Sequence, residues 1–162
     1  MPEFWIDSDS LIESKKGPYA FDIAPGFWKF LEQKISEETI ASSVTVYNEF
    51  EDYGAEDDLL QWAKQQKDAG FFIAPDPLVQ TAFRQIADYV NNTYPQHQAS
   101  KFLDDADPWI IAHAKAYGGR VVTFEKSAPN SQTPKIPDIC HHFEVEECSN
   151  LYEMVRKLGM SL

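Results

Sequence analysis

Apolar residues in this chain occur in short runs, separated by polar stretches that carry glycine and proline. Uninterrupted or alternating apolar runs predict strands at 4–12 (with the strand exit included), 40–45, 71–74, 120–124 and 142–147. Helical spacing predicts helices around 27–35, 46–50, 56–67, 79–93, 108–117 and 150–158, with loops at 13–25, 94–99 and 127–137. Strands that alternate with helices indicate an α/β fold, a mostly parallel sheet in a three-layer α/β/α sandwich.

The length of 162 residues is enough for one domain with a substantial core, and no repeat or linker divides it. We therefore expect a single domain over residues 1–162. A hydrophobic content of 43% and an aromatic content of 14% are typical of a folded globular protein. No transmembrane run and no signal peptide is visible, which predicts a cytoplasmic protein without membrane contact. Cys140 and Cys148 are too few for a disulfide scaffold.

The stretch 104–126 carries most of the chemical information in the sequence. Asp107 precedes Pro108, a residue that suits the first position of a helix, and Glu125 lies at the exit of a buried strand. In an open parallel sheet, the C-terminal ends of strands and the N-termini of helices share one edge. Asp107 and Glu125 are therefore expected to face one pocket.

Two further acids are predicted to lie at the same edge. Asp7 follows the first buried strand, and Glu49 lies in the first turns of the helix after the second strand. Four carboxylates in a partly buried pocket would repel one another and raise their pKa values. Mg²⁺ or Mn²⁺ would offset that repulsion, because both ions prefer oxygen ligands. Two such ions about 3.5–4 Å apart can activate a water and stabilise the leaving oxygen of a phosphodiester, which predicts a phosphate-ester hydrolase.

Each of these acids also has a purely structural interpretation. Asp7 could cap a following turn, Asp107 could be the N-cap of the next helix, and Glu49 could be a solvated surface residue. A capping carboxylate can still offer its second oxygen to a metal. The polar neighbours of these acids have two interpretations: ordinary surface or strand residues, or residues that contact a metal through water. These neighbours are Ser8, Asp9, Asp104, Asp105 and Thr123.

The net charge of −12 argues against broad, non-specific binding of nucleic acid, which needs a basic surface. It does not exclude a nuclease, because acids build metal sites and the ions supply the positive charge. Contact with RNA must then be local or use the surface of a partner.

Other candidate sites have little support from residue spacing. Zinc ligands could come from Cys140, His142, Cys148 and His113, but no CxxC or HxxxH pair accompanies them. The chain has no GxxxxGK phosphate loop and no serine in a GxSxG elbow. The large aromatic residues are interpreted as core rather than as base-stacking platforms: Trp5, Phe27, Trp28, Trp62 and Trp109.

Four segments carry a family resemblance, namely WIDSDSLI, SSVTVYNEF, ADPWIIAHA and VVTFE. In this order they resemble the motifs of the PIN domain, the metal-dependent ribonuclease fold of VapC-type toxins. Asp7, Glu49 and Asp107 match the acids of the first three motifs. Thr123 matches the threonine of the fourth, a Thr-x-Asp motif, and Glu125 stands where most members have aspartate. The longer stretches FDIAPGFWKFLE, DPWIIAHAKAYGGRVVT and KIPDIC resemble a PIN-like subfamily of bacteria and archaea, so the resemblance covers nearly the whole chain.

The resemblance implies a five-stranded parallel sheet between helices and Mg²⁺- or Mn²⁺-dependent endonucleolytic cleavage of RNA. It also implies a homodimer and a toxin that an antitoxin protein silences. Asp7, Glu49, Asp107 and Glu125 are implied to be both the catalytic residues and the metal ligands. Glu125 is one methylene longer than aspartate, which would shift or weaken a second metal position.

Two other functions compete with the ribonuclease. Asp7 and Asp9 resemble the nucleophile and acid of a haloacid-dehalogenase-like phosphatase, with residues 104–105 as its late acids. Against it, Leu11 stands where that motif has Thr or Val, and residues 101–103 make a poor strand. The other alternative is a PIN-like module that acts through protein contacts without catalysis.

Overall fold

The computed structural model describes residues 1–53 and 58–160. The strands are β1 (Phe4–Ile6), β2 (Ile40–Ser43), β3 (Phe72–Ile73), β4 (Arg120–Val122) and β5 (Glu147–Cys148). The helices are α1 (Ser8–Lys16), α2 (Pro25–Ser36), α3 (Val44–Tyr53), α4 (Asp58–Asp68), α5 (Pro77–Thr93), α6 (Gln96–Asp104), α7 (Asp107–Tyr117), α8 (Ile136–His142) and α9 (Leu151–Lys157). The predicted class is confirmed: a parallel sheet of five strands flanked by helices, as in an α/β/α sandwich.

The strand order β3-β2-β1-β4-β5 determines where a ligand can bind. Strand β1 is central and pairs on both sides, with Phe4 opposite Ile40 of β2 and opposite Arg120 of β4. The chain order reverses between β1 and β4. In open parallel sheets, the crevice at such a reversal, outside the C-terminal strand ends, is the usual ligand site. Residues that directly follow β1 and β4 therefore flank this crevice.

Two segments that were predicted as a strand exit or a loop each hold a short helix. Residues 8–16 form α1, so the extended exit of β1 and the first part of the loop 13–25 are wrong. Residues 96–104 form α6, so most of the predicted loop 94–99 is wrong as well. Both helices are polar on average and present few apolar positions, which hides helical periodicity from the sequence.

The predicted strand at 142–147 is mostly wrong, since only Glu147 of that range lies in a strand. Helix α8 occupies 136–142, and only Glu147–Cys148 pair as β5. The predicted loop 127–137 correspondingly ends at Lys135. The predicted helix 56–67 corresponds to α4, and its first two residues lie outside the described residues.

Helix α7 joins the core to the crevice, because it packs against β1, β2 and β4. Its His113 is buried, stacks on Trp5 with ring centroids 4.7 Å apart, and its Nε2 lies 3.2 Å from the Ser43 hydroxyl. The Trp5 indole also donates to the Gly118 carbonyl at 2.9 Å. The core interpretation of the aromatics is confirmed for Trp5, Phe27, Trp28 and Trp62, whereas Trp109 is half-buried and stacks on Phe83. Within the described residues, no helix has the length and apolarity needed to cross a membrane.

Candidate active site

Asp7 follows β1 and is the N-cap of α1. Its Oδ1 accepts hydrogen bonds from the Ser10 backbone N–H at 2.9 Å and from the Ser10 hydroxyl at 2.6 Å. The strand-tip position and the capping role predicted for Asp7 therefore both hold. Sequence reasoning did not single out Ser10, although an N-cap Asp accepts from the backbone N–H of the second or third helical residue, and Ser10 is the third.

The other oxygen of Asp7, Oδ2, is buried and has no hydrogen-bond partner among the described residues. Burial raises the pKa of Asp7 to about 6, although the hydroxyls of Ser10 and Thr123 lower it. A buried acceptor without a partner costs about 1–3 kcal/mol, and more when it is charged. A ligand that coordinates this oxygen, or donates a hydrogen bond to it, would remove that cost.

Glu49 on α3 also faces the crevice. The Ser8 hydroxyl donates to its Oε1 at 3.1 Å, which links α3 to the start of α1. The side chain is half-buried rather than solvated, and burial raises its pKa, with the charges of Asp105 and Asp9 adding to the effect.

Asp107 is the first residue of α7 and not its N-cap, which is Ala106. The N-cap interpretation is therefore wrong, and the carboxylate is not used to cap the helix. Burial raises the pKa of Asp107 to about 9, with further increases, in decreasing order, from four neighbouring carboxylates: Asp7, Glu125, Asp9 and Glu49. The fold thus gathers the predicted acids around Asp107, and like charges there add to the effect of burial on its pKa.

Glu125 has a structural partner. Its Oε1 accepts a hydrogen bond from the Ile136 backbone N–H at 2.8 Å, at the first turn of α8. Its own backbone N–H donates to the hydroxyl of the buried Thr123 at 3.0 Å. Thr123 therefore shapes the turn after β4 and also lies beside Asp7.

Two cavities open at this edge of the sheet. The carboxylate pocket, of about 270 Å³, is lined by Ser8, Asp9, Ile12, Glu49, Phe50, Asp105 and Asp107. The aromatic pocket, of about 530 Å³, is lined by Asp9, Glu13, Gly17, Pro18, Phe124, Glu125 and Tyr152. Asp9 lines both. Asp107 and Glu125 therefore line adjoining pockets rather than the single pocket predicted. Asp7 and Thr123 are buried and line neither pocket, and Asp104 lines neither as well.

The donor set suits a hard divalent cation, because it consists of carboxylate and hydroxyl oxygens. The Oδ2 atom of Asp7 has no hydrogen-bond partner among the described residues, and a cation beside Asp107 would lower the raised pKa of that group. Within residues 1–53 and 58–160, no three Asp, Glu, His or Cys side chains already stand in a metal-ligand arrangement. Binding through three carboxylates would therefore require side-chain rotation.

The zinc alternative gains no support from the described part of the chain. His113 is packed between Trp5 and Ser43, whereas the exposed His142 stacks on Tyr89. Cys140 and Cys148 are buried and free. The phosphatase alternative expects a strand before Asp104 and Asp105, and that segment is helix α6.

The chain belongs to the family described as a domain of unknown function (DUF4411), whose model matches residues 4–162. A search of curated proteins finds no match. A search of solved structures likewise finds none.

Proposed function

We propose that this member of the family is a metal-dependent endoribonuclease that hydrolyses RNA phosphodiester bonds with Mg²⁺ or Mn²⁺. One observation carries the proposal. The buried Asp7 keeps an oxygen without a partner and stands beside Asp107, whose pKa is raised to about 9 by burial and four neighbouring carboxylates. Such an arrangement costs stability in the absence of a ligand, and a bound cation would offset that cost, which supports the proposed metal site.

Asp7, Glu49 and Asp107 are the proposed principal ligands. Ser10 orients Asp7 and Ser8 orients Glu49, so that each acid keeps one oxygen occupied by the protein. When bound, Mg²⁺ or Mn²⁺ supplies a Lewis acid that activates water and stabilises the leaving oxygen of a phosphodiester. Glu125 is the fourth proposed ligand, through the oxygen that Ile136 does not engage.

The resemblance to the PIN domain supports this choice over other metal-dependent hydrolases. Its four motif acids occur in the expected order along the chain, and the sheet order puts the ends of β1 and β4 side by side. We further propose that the protein acts in the cytoplasm, as the toxin of a toxin–antitoxin pair and as a homodimer. With a net charge of −12, its RNA contacts would be confined to the site and its partner surfaces.

The first experiment is calorimetric titration of Mn²⁺ into the wild type, Asp107→Asn and Asp88→Asn. Asp88 is exposed on α5 and lines neither pocket, so its substitution controls for the loss of one negative charge. We expect saturable binding that weakens about tenfold or more in Asp107→Asn and is unchanged in Asp88→Asn. Absence of saturable binding in the wild type, with or without RNA, would overturn the proposal.

A cleavage assay on a transcriptome-derived RNA pool completes the test. We expect end mapping to show Mn²⁺-dependent cleavage that Asp7→Asn and Asp107→Asn abolish, with circular dichroism spectra unchanged. Cleavage that persists in both variants would show that Asp7 and Asp107 are not catalytic residues.

A non-catalytic protein-binding module is the second candidate. It is favoured by the lack, in the described part of the chain, of three side chains already arranged as metal ligands. Under this alternative, we expect no saturable Mn²⁺ binding in the calorimetric titration. We also expect Asp107→Asn to leave binding of a protein partner unchanged.

A further inference from the structure

The aromatic pocket has an unusual lining. One wall is α1, which presents Asp9 and Glu13 one turn apart, and the C-terminal end of this wall is Gly17. The opposite wall is Phe124 and Tyr152, whose rings meet edge to face at 5.1 Å between centroids. The pocket therefore combines acidic side chains with half-exposed aromatic rings.

The charges in this pocket disfavour an anion as its occupant. Asp9, Glu13 and Glu125 are carboxylates, and no Lys, Arg or His is among the described lining residues. The Glu13 side chain has no hydrogen bond or ion pair with the described residues, and like charges at Asp9 and Glu13 destabilise the helix slightly. Carboxylates accept hydrogen bonds and the half-exposed rings offer stacking surfaces, so this lining fits a flat occupant rich in hydrogen-bond donors.

We propose that the aromatic pocket binds an unpaired guanine base of the RNA whose phosphodiester lies at the carboxylate pocket; this inference rests on the proposed ribonuclease function. Asp9 lines both pockets, so a nucleotide can place its phosphate in one and its base in the other. Unpaired bases are commonly bound by stacking on aromatic rings and by hydrogen bonds to their Watson–Crick edges.

Guanine is favoured over the other bases by donor geometry. Its N1–H and N2–H groups lie side by side and can donate together to one carboxylate, which only accepts hydrogen bonds. Adenine and cytosine present one amino group beside an acceptor nitrogen, which a carboxylate repels. Uracil presents a single N–H between two carbonyl oxygens. Glu13 is the proposed partner of guanine, and Tyr152 is the proposed stacking surface.

The test uses free nucleosides and no metal, so that it does not depend on catalysis. Guanosine, adenosine, cytidine and uridine are titrated in turn into ¹⁵N-labelled protein with EDTA, and amide chemical shifts are followed. We expect guanosine to shift the amides of Glu13, Gly17 and Tyr152 and to bind about fivefold or more tightly than the others. Equal binding of the four nucleosides, or no binding of guanosine at millimolar concentration, would overturn the inference.

Matched variants assign the contacts. Tyr152→Ala should weaken guanosine binding about tenfold, whereas Tyr152→Phe keeps the ring and should bind as the wild type does. Glu13→Gln should remove the preference for guanosine, and Glu32→Gln on α2, outside both pockets, should not. If Tyr152→Ala does not fold, as judged from its amide spectrum, Glu13→Gln decides: an unchanged preference would overturn the assignment.

The outcomes also separate this inference from the proposed function. Guanosine binding without Mn²⁺ binding would support guanine recognition by the aromatic pocket and overturn the proposed ribonuclease function. Mn²⁺-dependent RNA cleavage with no preference for guanosine would support the ribonuclease and overturn the pocket.

Discussion

The Glu125 carboxylate accepts a hydrogen bond from the Ile136 backbone N–H at 2.8 Å, and this bond ties the end of β4 to the first turn of α8. The loop between them is fastened a second time, because the Asp138 carboxylate accepts from the Ala128 backbone N–H at 2.8 Å. An aspartate at 125 would be one methylene shorter and would reach less far toward Ile136. Glutamate at this position therefore holds α8 beside the site as well as lining the aromatic pocket.

Two substitutions of Glu125 should distinguish the contribution of its hydrogen bond to stability from the contribution of its negative charge. Glu125→Gln keeps an oxygen that can accept from Ile136, so we expect the free energy of unfolding to change by less than about 0.5 kcal/mol. Glu125→Ala leaves the N–H without its acceptor and should cost about 1–2 kcal/mol. Urea unfolding measures both. Equal losses in the two variants would show that charge, and not the hydrogen bond, stabilises this region.

Asp107→Asn should stabilise the metal-free protein. The folded pKa of Asp107, about 9, lies above its ordinary value of 3.8, so the folded state binds more protons than the unfolded state between these values. Stability therefore falls as pH rises through this window. The asparagine cannot ionise, and we expect a gain of about 2 kcal/mol at pH 8 that shrinks toward pH 4.

Thermal unfolding in EDTA at several pH values measures this gain. Added Mn²⁺ should raise the melting temperature of the wild type and leave that of Asp107→Asn nearly unchanged. A variant less stable than the wild type at every pH would contradict the repulsion inferred for Asp107.

Ser10→Ala should weaken the site more than a similar change one turn away. Its hydroxyl donates to the Asp7 carboxylate, and a hydrogen bond to a charged group contributes about 1.5–3 kcal/mol. Ser14 is equally buried on α1 but donates to the Ser10 carbonyl, which makes Ser14→Ala the matched control. We expect calorimetry to show weaker Mn²⁺ binding in Ser10→Ala only. Equal affinities in the two variants would mean that Ser10 does not position Asp7.

The buried His113 should make the fold sensitive to acid. Burial lowers its pKa from 6.5 to about 4, although the charge of Asp76 raises it. Between these values the unfolded state binds more protons, so this contribution to stability is present above pH 6.5 and is lost as pH falls toward 4, by up to about 3 kcal/mol.

His113→Gln isolates this effect, because glutamine is polar and can form hydrogen bonds but does not titrate. The wild type should be the more stable protein at pH 8, and its advantage in urea unfolding should shrink by about 2 kcal/mol or more at pH 4.5. His97→Gln, at an exposed position on α6, is the control and should leave the pH dependence unchanged. An advantage that is constant with pH would contradict the prediction.

The amino-acid sequence determined the layered fold and the identity of the acids. Phe4–Ile6 is apolar throughout, whereas Ile40–Ser43 and Arg120–Val122 combine apolar residues with Ser42, Ser43 and Arg120. All three form parallel strands, because their apolar side chains are covered by the flanking helices. Asp7 and Asp107 could be placed at one edge of the sheet, since strand exits and helix starts meet there in this class of fold. The short polar helices α1 and α6 escaped prediction, because few of their positions are apolar.

Only the tertiary structure decided what each carboxylate touches. The pKa of Asp107 is raised chiefly by burial and further by four acids from distant parts of the chain, and no local sequence pattern encodes either effect. Glu125 is tied to Ile136, eleven residues later, by a contact that depends on where the intervening loop ends. Local sequence patterns determine the helices, the strands and the side chains that they carry. The partners of a buried charge depend instead on how these elements pack together, and those partners determine its pKa and its chemistry.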